Sequence, residues 1–145
     1  MIALLQRVRQ ASVSVDHRVI AEIGPGLLAL VAVRPDDDER SAERLLQRLL
    51  GYRVFADADG RMNCSVADCG GDVLLVPQFT LTADTRKGTR PGFSGAAPPG
   101  LAEPLFRYLV SRAEALHGSV ASGSFGADMD VALINQGPVT FWLES

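Results

Sequence analysis

Residues 24–51 have the sequence GPGLLALVAVRPDDDERSAERLLQRLLG, and they contain the clearest structural signals in the chain. The turn Gly24-Pro25-Gly26 precedes an apolar run over residues 27–33, which has the length and continuity of a buried central strand. Residues 36–39 are acidic, and carboxylates at a helix start accept hydrogen bonds from free N–H groups and oppose the helix dipole. Leucines at helical spacing follow, and Gly51 predicts the helix end. A buried strand followed by an amphipathic helix predicts a layered α/β domain.

Further strands and one more long helix flank this unit. Residues 2–15 alternate apolar and polar side chains, as in a strand with one solvated face. Short apolar or β-branched runs predict additional strands at residues 18–23, 52–55, 73–76, 119–125, 131–135 and 139–143. A second amphipathic helix follows the Pro98-Pro99-Gly100 break and ends at Gly118, after a Gly- and Pro-rich loop at residues 82–100. These patterns predict one mixed α/β domain over residues 1–145 with two main helices.

Composition and charge exclude several classes of protein. The formal net charge of −3 argues against coating nucleic acid through bulk positive charge, although a local basic patch remains compatible with it. No apolar run approaches the roughly 20 residues of a membrane span, and the N-terminal residues become polar too early for a signal peptide. Cys64, Cys69, His17 and His117 are too scattered for a zinc site. We therefore expect a soluble cytoplasmic protein with no metal, no cofactor and no membrane contact.

Two short motifs are candidates for a functional site. Gln78, Phe79 and Thr80 follow a predicted buried strand, at a strand end where side chains and backbone N–H groups meet solvent. Thr80 offers a hydroxyl and Gln78 an amide, although a purely structural threonine fits the same residues. Residues 135–140 contain Gly137-Pro138, which predicts a turn between the last two strands or a cis peptide bond. Neither motif identifies a function by itself.

Together with other segments, these motifs resemble the D-aminoacyl-tRNA deacylase family, which removes mischarged D-amino acids from tRNA. The segments that carry the resemblance are residues 1–8, 11–15, 24–28, 50–55, 78–81, 90–94 and 135–143. The resemblance implies a three-layer α/β/β fold and a homodimer with two active sites at its interface. It implies that Gln78, Phe79 and Thr80 form the catalytic pocket around the aminoacylated terminal adenosine. Gly137 and Pro138, joined by a cis bond, would enter the partner's pocket.

The same resemblance assigns supporting residues. Arg7 would brace the Gly137-Pro138 motif, with a salt-bridged surface arginine as the alternative. Phe125 and Met129 would surround the pocket, with core packing as the alternative. The phosphates of the tRNA 3′ end would be contacted by basic residues of the long loop, unless these only keep the loop soluble. These residues are Arg86, Lys87 and Arg90.

The implied reaction is hydrolysis of the D-aminoacyl ester to free D-amino acid and tRNA. A rigid wall formed by the carbonyls of Gly137 and Pro138 would exclude L side chains, whereas glycine, including glycine mischarged on tRNA(Ala), would pass. Backbone N–H groups near Phe79 and Thr80 would stabilise the developing oxyanion. The terminal 2′-hydroxyl of the tRNA would help to activate water. Thr80 as a covalent nucleophile ranks lower, because no base lies beside it in the sequence.

Pro77 stands where the family usually has serine. Proline removes a hydroxyl and a backbone N–H, and it restricts φ to about −65°. It therefore favours an alternative function, a deacylase with relaxed chirality that also acts on some mischarged L-aminoacyl-tRNAs, whereas Phe79 opposes that alternative. A non-enzymatic RNA-binding module is the third interpretation, and the presence of Gln78, Thr80 and Gly137-Pro138 argues against it.

Overall fold

The computed structural model describes all 145 residues. Eight strands and three helices follow one another along the chain, with a short 3₁₀ turn at Phe79–Thr82. In chain order they are β1 (Ile2–Val15), β2 (Arg18–Ile23), β3 (Gly26–Ala32), α1 (Glu39–Gly51), β4 (Phe55–Ala56), β5 (Met62–Cys64), α2 (Val66–Cys69), β6 (Asp72–Pro77), α3 (Pro99–Leu116), β7 (Val120–Ser122) and β8 (Asp130–Glu144).

The long strand β1 organises a mixed sheet. Along one edge, its first half pairs antiparallel with β3 and its second half pairs antiparallel with β2. Its other edge pairs antiparallel with β8 over nearly its whole length. Beyond β3 the sheet continues through two parallel pairs, β3 with β6 and β6 with β7. Parallel strands need covering on both faces, so this part of the sheet has to be buried.

Buried side chains form two clusters on opposite faces of β3 and β6, because successive residues of a strand point to opposite faces. Leu27, Ala29 and Leu75 belong to the larger cluster, which includes the buried faces of α1 and α3. Leu28 and Leu74 belong to the smaller cluster, together with apolar residues from the second half of β1 and from β2. The sheet therefore folds back over itself and is nearly closed. The predicted three-layer α/β/β fold class is confirmed.

Helix α1 begins where the acidic run predicts. The Asp38 side chain caps it by accepting a hydrogen bond from the Ser41 N–H at 2.8 Å, which holds the pKa of the Asp38 carboxyl below its usual value. Leu45, Leu46 and Leu49 are fully buried against the sheet, and each such leucine contributes about 1.5–3 kcal/mol to stability. Local capping and burial of one face thus determine this helix.

The helix α2 was not predicted. It is one turn long, and it is closed by a reciprocal capping box in which the Ser65 and Asp68 side chains each bond the other's backbone N–H. Gly70 ends it with a φ of 64°. The signal for this turn was present as a serine three residues before an aspartate. The two free cysteines lie beside it, Cys64 half-buried before the helix and Cys69 exposed at its end.

The last two predicted strands are one strand in the structure. Both halves of β8 pair with β1, but the register jumps between the pairs Val8 with Asn135 and Gln6 with Thr140. One residue of β1 therefore lies opposite four residues of β8, which bulge out of the ladder. The turn predicted at residues 136–138 is this bulge, because the segments before and after it both pair with β1.

Candidate functional site

A largely apolar cavity of about 610 Å³ lies beside the carboxyl end of β6. Strand β3 forms one wall, and α3 contributes Ala102 and Phe106. Five of the predicted site residues line it, namely Pro77, Gln78, Phe79, Phe125 and Met129. An apolar cavity of this size with a few polar groups at its edge is typical of a small-molecule site.

The chain changes direction at Gln78. The Gln78 N–H donates to the carbonyl of Val31 at 2.7 Å, which continues the β3–β6 pairing by one residue. The 3₁₀ turn then begins at Phe79, and the first N–H groups of such a turn have no carbonyl partner within it. The Thr80 hydroxyl donates to Gln78 Oε1 at 2.5 Å. Its only hydrogen-bond partner is therefore an amide, which cannot accept its proton as a base would.

Pro77 is accommodated because β7 is short. The Gly123 N–H donates to the carbonyl of Leu75 at 2.8 Å, so the backbone of Leu75 is on the side of β6 that pairs with β7. Because this side alternates along a strand, the backbone of residue 77 also faces β7. Strand β7 has ended at Ser122, so no ladder bond requires an N–H at position 77. A methyl group on Gly123 would lie 3.4 Å from Cδ of Pro77 and 3.0 Å from the Met129 sulfur. The proline ring and Met129, which both line the cavity, thus pack closely around Gly123.

Gly137 and Pro138 lie in the β8 bulge and are exposed. Their peptide bond is cis, as the resemblance implied. The Asn135 side chain spans the bulge by accepting from the Val139 N–H at 2.7 Å and donating to the Thr140 hydroxyl at 2.9 Å. The bulge is therefore held in shape by its own neighbours.

Arg7 is the β1 residue opposite the bulge. Its Nε donates to the carbonyl of Gln136 at 3.0 Å, and its Nη1 donates to the carbonyl of Val54. A guanidinium presents several donors in a rigid plane, so one carbonyl in β8 and one in the segment between α1 and β4 fix its orientation. These contacts are those expected of a residue that braces the motif, and Arg7 forms no salt bridge.

The structure does not bring all the predicted residues together. Arg7, Thr80, Gly137 and Pro138 do not line the cavity of their own chain. The bulge and the cavity are separate features of one chain, as expected if the bulge serves a second copy. That assignment stays a prediction.

The loop after the 3₁₀ turn is closed by a pair of backbone hydrogen bonds between Asp84 and Gly92, at 2.7 and 3.0 Å. Arg86 forms a two-armed ion pair with Asp84, which holds the pKa of that carboxyl well below its usual range. Lys87 and Arg90 are exposed and form no ion pair. Of the three basic residues predicted to contact tRNA, these two carry the unpaired charge.

Two aromatic rings form an exposed pair at the edge of the cavity, and this pair was not predicted. The ring centroids of Phe79 and Phe93 are 5.2 Å apart, with their planes tilted by 58°. Phe93 lies in the segment 90–94 that contributes to the family resemblance, but the sequence indicated no role for it. Only the closed loop brings it to Phe79.

A second cavity, of about 670 Å³, lies between β1, β2 and β8 and is lined by none of the predicted site residues. Asp72 at its edge is already engaged, since it accepts from the Gly24 N–H and the Ser119 hydroxyl.

No group of three or more His, Cys, Asp or Glu side chains is placed to hold a metal ion. His117 lies within 2.6 Å of the Gly71 carbonyl. None of the helices has the length and apolar character needed to cross a membrane.

The chain is similar to known proteins over nearly its whole length. Residues 4–144 match the model of a family described as D-Tyr-tRNA(Tyr) deacylase. The chain is 61% identical over 145 residues to the D-aminoacyl-tRNA deacylase of Pseudomonas fluorescens (strain Pf0-1), with 100% of both chains covered. It is 60% identical over 144 residues to the protein of the same name from Thioalkalivibrio sulfidiphilus (strain HL-EbGR7), with 99% of this chain and 97% of that one covered.

Two solved structures are also similar. The c-Myc DNA Unwinding Element Binding Protein superimposes with a TM-score of 0.95 at 36% identity, covering 100% of this chain and 99% of that one. A probable eukaryotic D-amino acid tRNA deacylase superimposes with a TM-score of 0.87 at 18% identity, covering 99% and 98%. The second likeness concerns the fold alone.

Proposed function

The chain belongs to the D-Tyr-tRNA(Tyr) deacylase family, and from that premise we propose that it hydrolyses the ester bond of D-aminoacyl-tRNA in proofreading. The observation that carries the proposal is the apolar cavity at the end of β6, whose edge is formed by Pro77, Gln78 and Phe79. It can hold the terminal adenosine and its amino acid, and its polar groups lie at the rim, where an ester would be attacked. Aminoacyl-tRNA is used in translation, so the cytoplasm is the proposed location.

The proposed active form is a homodimer in which each β8 bulge reaches the partner's cavity. Support comes from the exposure of Gly137 and Pro138, from their absence from the cavity of their own chain, and from the bracing contacts of Arg7 and Asn135. A braced wall of carbonyls facing the α-carbon leaves room for hydrogen but not for a side chain. A D-amino acid presents hydrogen there, and an L-amino acid presents its side chain. Glycine has no side chain, so glycyl-tRNA(Ala) is a proposed second substrate.

Catalysis depends on polarising the ester rather than on a covalent intermediate. Water adds to the ester carbonyl carbon, and the bond to the ribose oxygen then breaks as that oxygen takes up a proton. Backbone N–H groups at Phe79 and Thr80, which begin the 3₁₀ turn, are the proposed donors to the oxyanion. The Thr80 hydroxyl donates to an amide and has no base beside it, which argues against its acting as nucleophile. The 2′-hydroxyl of the terminal ribose is the proposed group that helps to activate water.

The tRNA itself would be held by a local patch, because the chain has a net charge of −3. Lys87 and Arg90 are the proposed phosphate contacts, because their charges are unpaired. Arg86 adds less, since Asp84 already neutralises it. Contacts of this kind position the substrate without reading its sequence.

One experiment tests the reaction and its chirality together. The protein is incubated with tRNA charged in separate samples with D-tyrosine, L-tyrosine and glycine, and loss of each ester is followed. Rapid loss of the D-tyrosyl and glycyl esters with the L-tyrosyl ester intact is expected. Comparable loss of the L-ester would mean that Pro77 accompanies relaxed chirality. Stability of all three esters would refute the deacylase proposal.

The dimer is tested separately by sedimentation at the concentrations used for activity. We expect a mass of two chains wherever the protein is active. A fully active monomer would refute the proposal that the bulge completes a partner's site.

A further inference from the structure

Phe79 and Phe93 together expose aromatic surface beside the cavity. Phe79 is 58% exposed and Phe93 is 43% exposed, and the two rings contact each other, so they form a patch rather than single exposed side chains. Phe79 lines the cavity and also contacts Phe93, so the pair continues the cavity wall outward. An apolar patch that continues a cavity wall is typical of a surface that a ligand or a partner covers.

The segment that presents Phe93 is anchored at several points. The Asp84 and Gly92 backbones bond each other immediately before it. After it, Gly95 lies so close to the backbone of the 3₁₀ turn that a methyl group there would be 2.8 Å from the Thr82 carbonyl oxygen. The Ala97 N–H then donates to the carbonyl of Val33 at 3.0 Å. The ring is thus held at the cavity edge, which reduces the entropy lost when something stacks on it.

The loop before Phe93 carries two positive charges that no ion pair neutralises, whereas one carboxylate, Asp128, lines the cavity itself. Lys87 and Arg90 lie in the loop that the Asp84–Gly92 hydrogen bonds close, immediately before Phe93, and neither forms an ion pair. Exposed aromatic rings together with free cations are the combination that binds single-stranded nucleic acid, because bases stack on the rings while phosphates meet the cations. Two unpaired cations favour a polyanion as the occupant, and tRNA is the polyanion that the proposed function brings to this cavity.

We propose that the Phe79–Phe93 pair is a stacking platform for the nucleobase that precedes the terminal adenosine in the single-stranded 3′ end of tRNA. The proposal rests on the proposed function, because it needs the terminal adenosine in the cavity. The preceding nucleotide is then one phosphodiester away, at the cavity edge where the two rings are exposed. The platform adds affinity for the tRNA end without reading a particular base, since every base has an aromatic face.

The test compares substrates that differ by one nucleotide. D-tyrosine is esterified to tRNA, to the dinucleotide CpA and to adenosine alone, and kcat/KM is measured with wild type, Phe93→Ala, Phe93→Leu and Phe93→Trp. The leucine variant keeps apolar cover over Phe79 but removes the aromatic face, and the tryptophan variant keeps that face. Leu116→Ala, which removes an exposed apolar side chain at the far end of α3, is the control for general surface effects.

We expect the alanine and leucine variants to lose about 5- to 150-fold in kcat/KM on the tRNA and CpA esters, the range of one stacked base. The tryptophan variant should stay near wild type. On the adenosine ester, which has no second base, the loss should disappear. Equal losses on all three esters would mean that Phe93 only supports Phe79, and no loss on any would mean that no base stacks there. Either result overturns the proposal.

Binding of unacylated CpCpA, followed by fluorescence anisotropy of the labelled trinucleotide, separates this proposal from the proposed function. If wild type hydrolyses no ester but binds CpCpA, and Phe93→Ala weakens that binding while Phe93→Trp does not, the platform stands and the deacylase proposal fails. If the alanine variant instead binds CpCpA as wild type does and sediments as a smaller species, the patch belongs to a second copy of the chain.

Discussion

Replacing Gly137 by alanine tests the proposal that the β8 bulge distinguishes the two mirror forms of the substrate. Gly137 has a φ of 138°, a backbone conformation that residues with a side chain rarely adopt. An added Cβ would lie 2.7 Å from Cγ2 of Val139, 3.1 Å from the Val139 nitrogen and 3.2 Å from Nη2 of Arg7. The valine methyl can rotate away, but the backbone nitrogen and the doubly held guanidinium cannot. The bulge therefore has to move.

The size of the effect follows from these contacts. Holding alanine at such a φ costs about 1–3 kcal/mol, and relief of the contacts needs a shift of a few tenths of an ångström. Displacing a positioning group by about 1 Å can cost 10²-fold in rate. We therefore expect Gly137→Ala to lower kcat/KM for D-tyrosyl-tRNA by about 10- to 100-fold.

The assay is deacylation of D-tyrosyl-tRNA, with urea unfolding measured on the same samples. Gly60→Ala is the matched control, because Gly60 also has a positive φ, of 78°, but a Cβ there would meet nothing within 4 Å. Gly60 lies in the β4–β5 turn and does not line the cavity. The control should lose stability but keep its activity. Wild-type activity in Gly137→Ala would refute the role assigned to the bulge.

Three further substitutions test other contacts. A lysine at position 7 cannot bind two carbonyls in one plane, so Arg7→Lys should lose about 1.5–3 kcal/mol of interaction with the bulge. The fall in kcat on D-tyrosyl-tRNA should be larger than the loss of stability, measured by the melting temperature, can explain. An unchanged kcat would contradict this role. Lys87→Ala should reduce the slope of log(kcat/KM) against log salt by about 0.7–0.9 per lost phosphate contact, whereas Arg86→Ala, whose charge is already paired, should change the slope less. Arg112 holds the pKa of the Glu43 carboxyl below its ordinary value of 4.5. The Glu43–Arg112 ion pair therefore stabilises the folded protein at pH values above the unfolded-state pKa of Glu43. This contribution is lost as the pH falls through the folded-state pKa. Glu43→Gln should lower the melting temperature at pH 7, and the gap to wild type should close in acid; a gap that persisted at low pH would exclude this ion pair as its cause.

Much of the fold could be predicted, because its signals are local. The cap on α1 was visible as an acidic run, and the buried strand β3 as an unbroken apolar run. The strand boundaries around Gly137 were predicted nearly correctly, yet their arrangement was not. A turn and a bulge have the same local composition, and only the pairing of both halves with β1 distinguishes them.

The residues of the candidate site likewise include some that the sequence predicted and some that it did not. Gln78 and Phe79, which line the cavity, were predicted through their place at a strand end and through the family resemblance. The resemblance also predicted the cis bond of Gly137-Pro138, whose place in the site stays a prediction. The role of Phe93 was missed, because fourteen residues separate it from Phe79 and no periodic pattern links them. The sequence also could not show that Arg86 is paired and Lys87 is not, because this depends on which of them contacts Asp84 in the folded loop.

The amino-acid sequence by itself determined most of the long elements, their buried faces and the two motifs, because capping, alternation and apolar runs act over a few neighbouring residues. The tertiary structure decided that β1 pairs with three strands and that the sheet folds into two layers. It also decided that Arg7 lies opposite the bulge and that two phenylalanines meet at the cavity edge. Those features depend on contacts between residues distant in the chain, whose free energy is gained only when the whole sheet has formed.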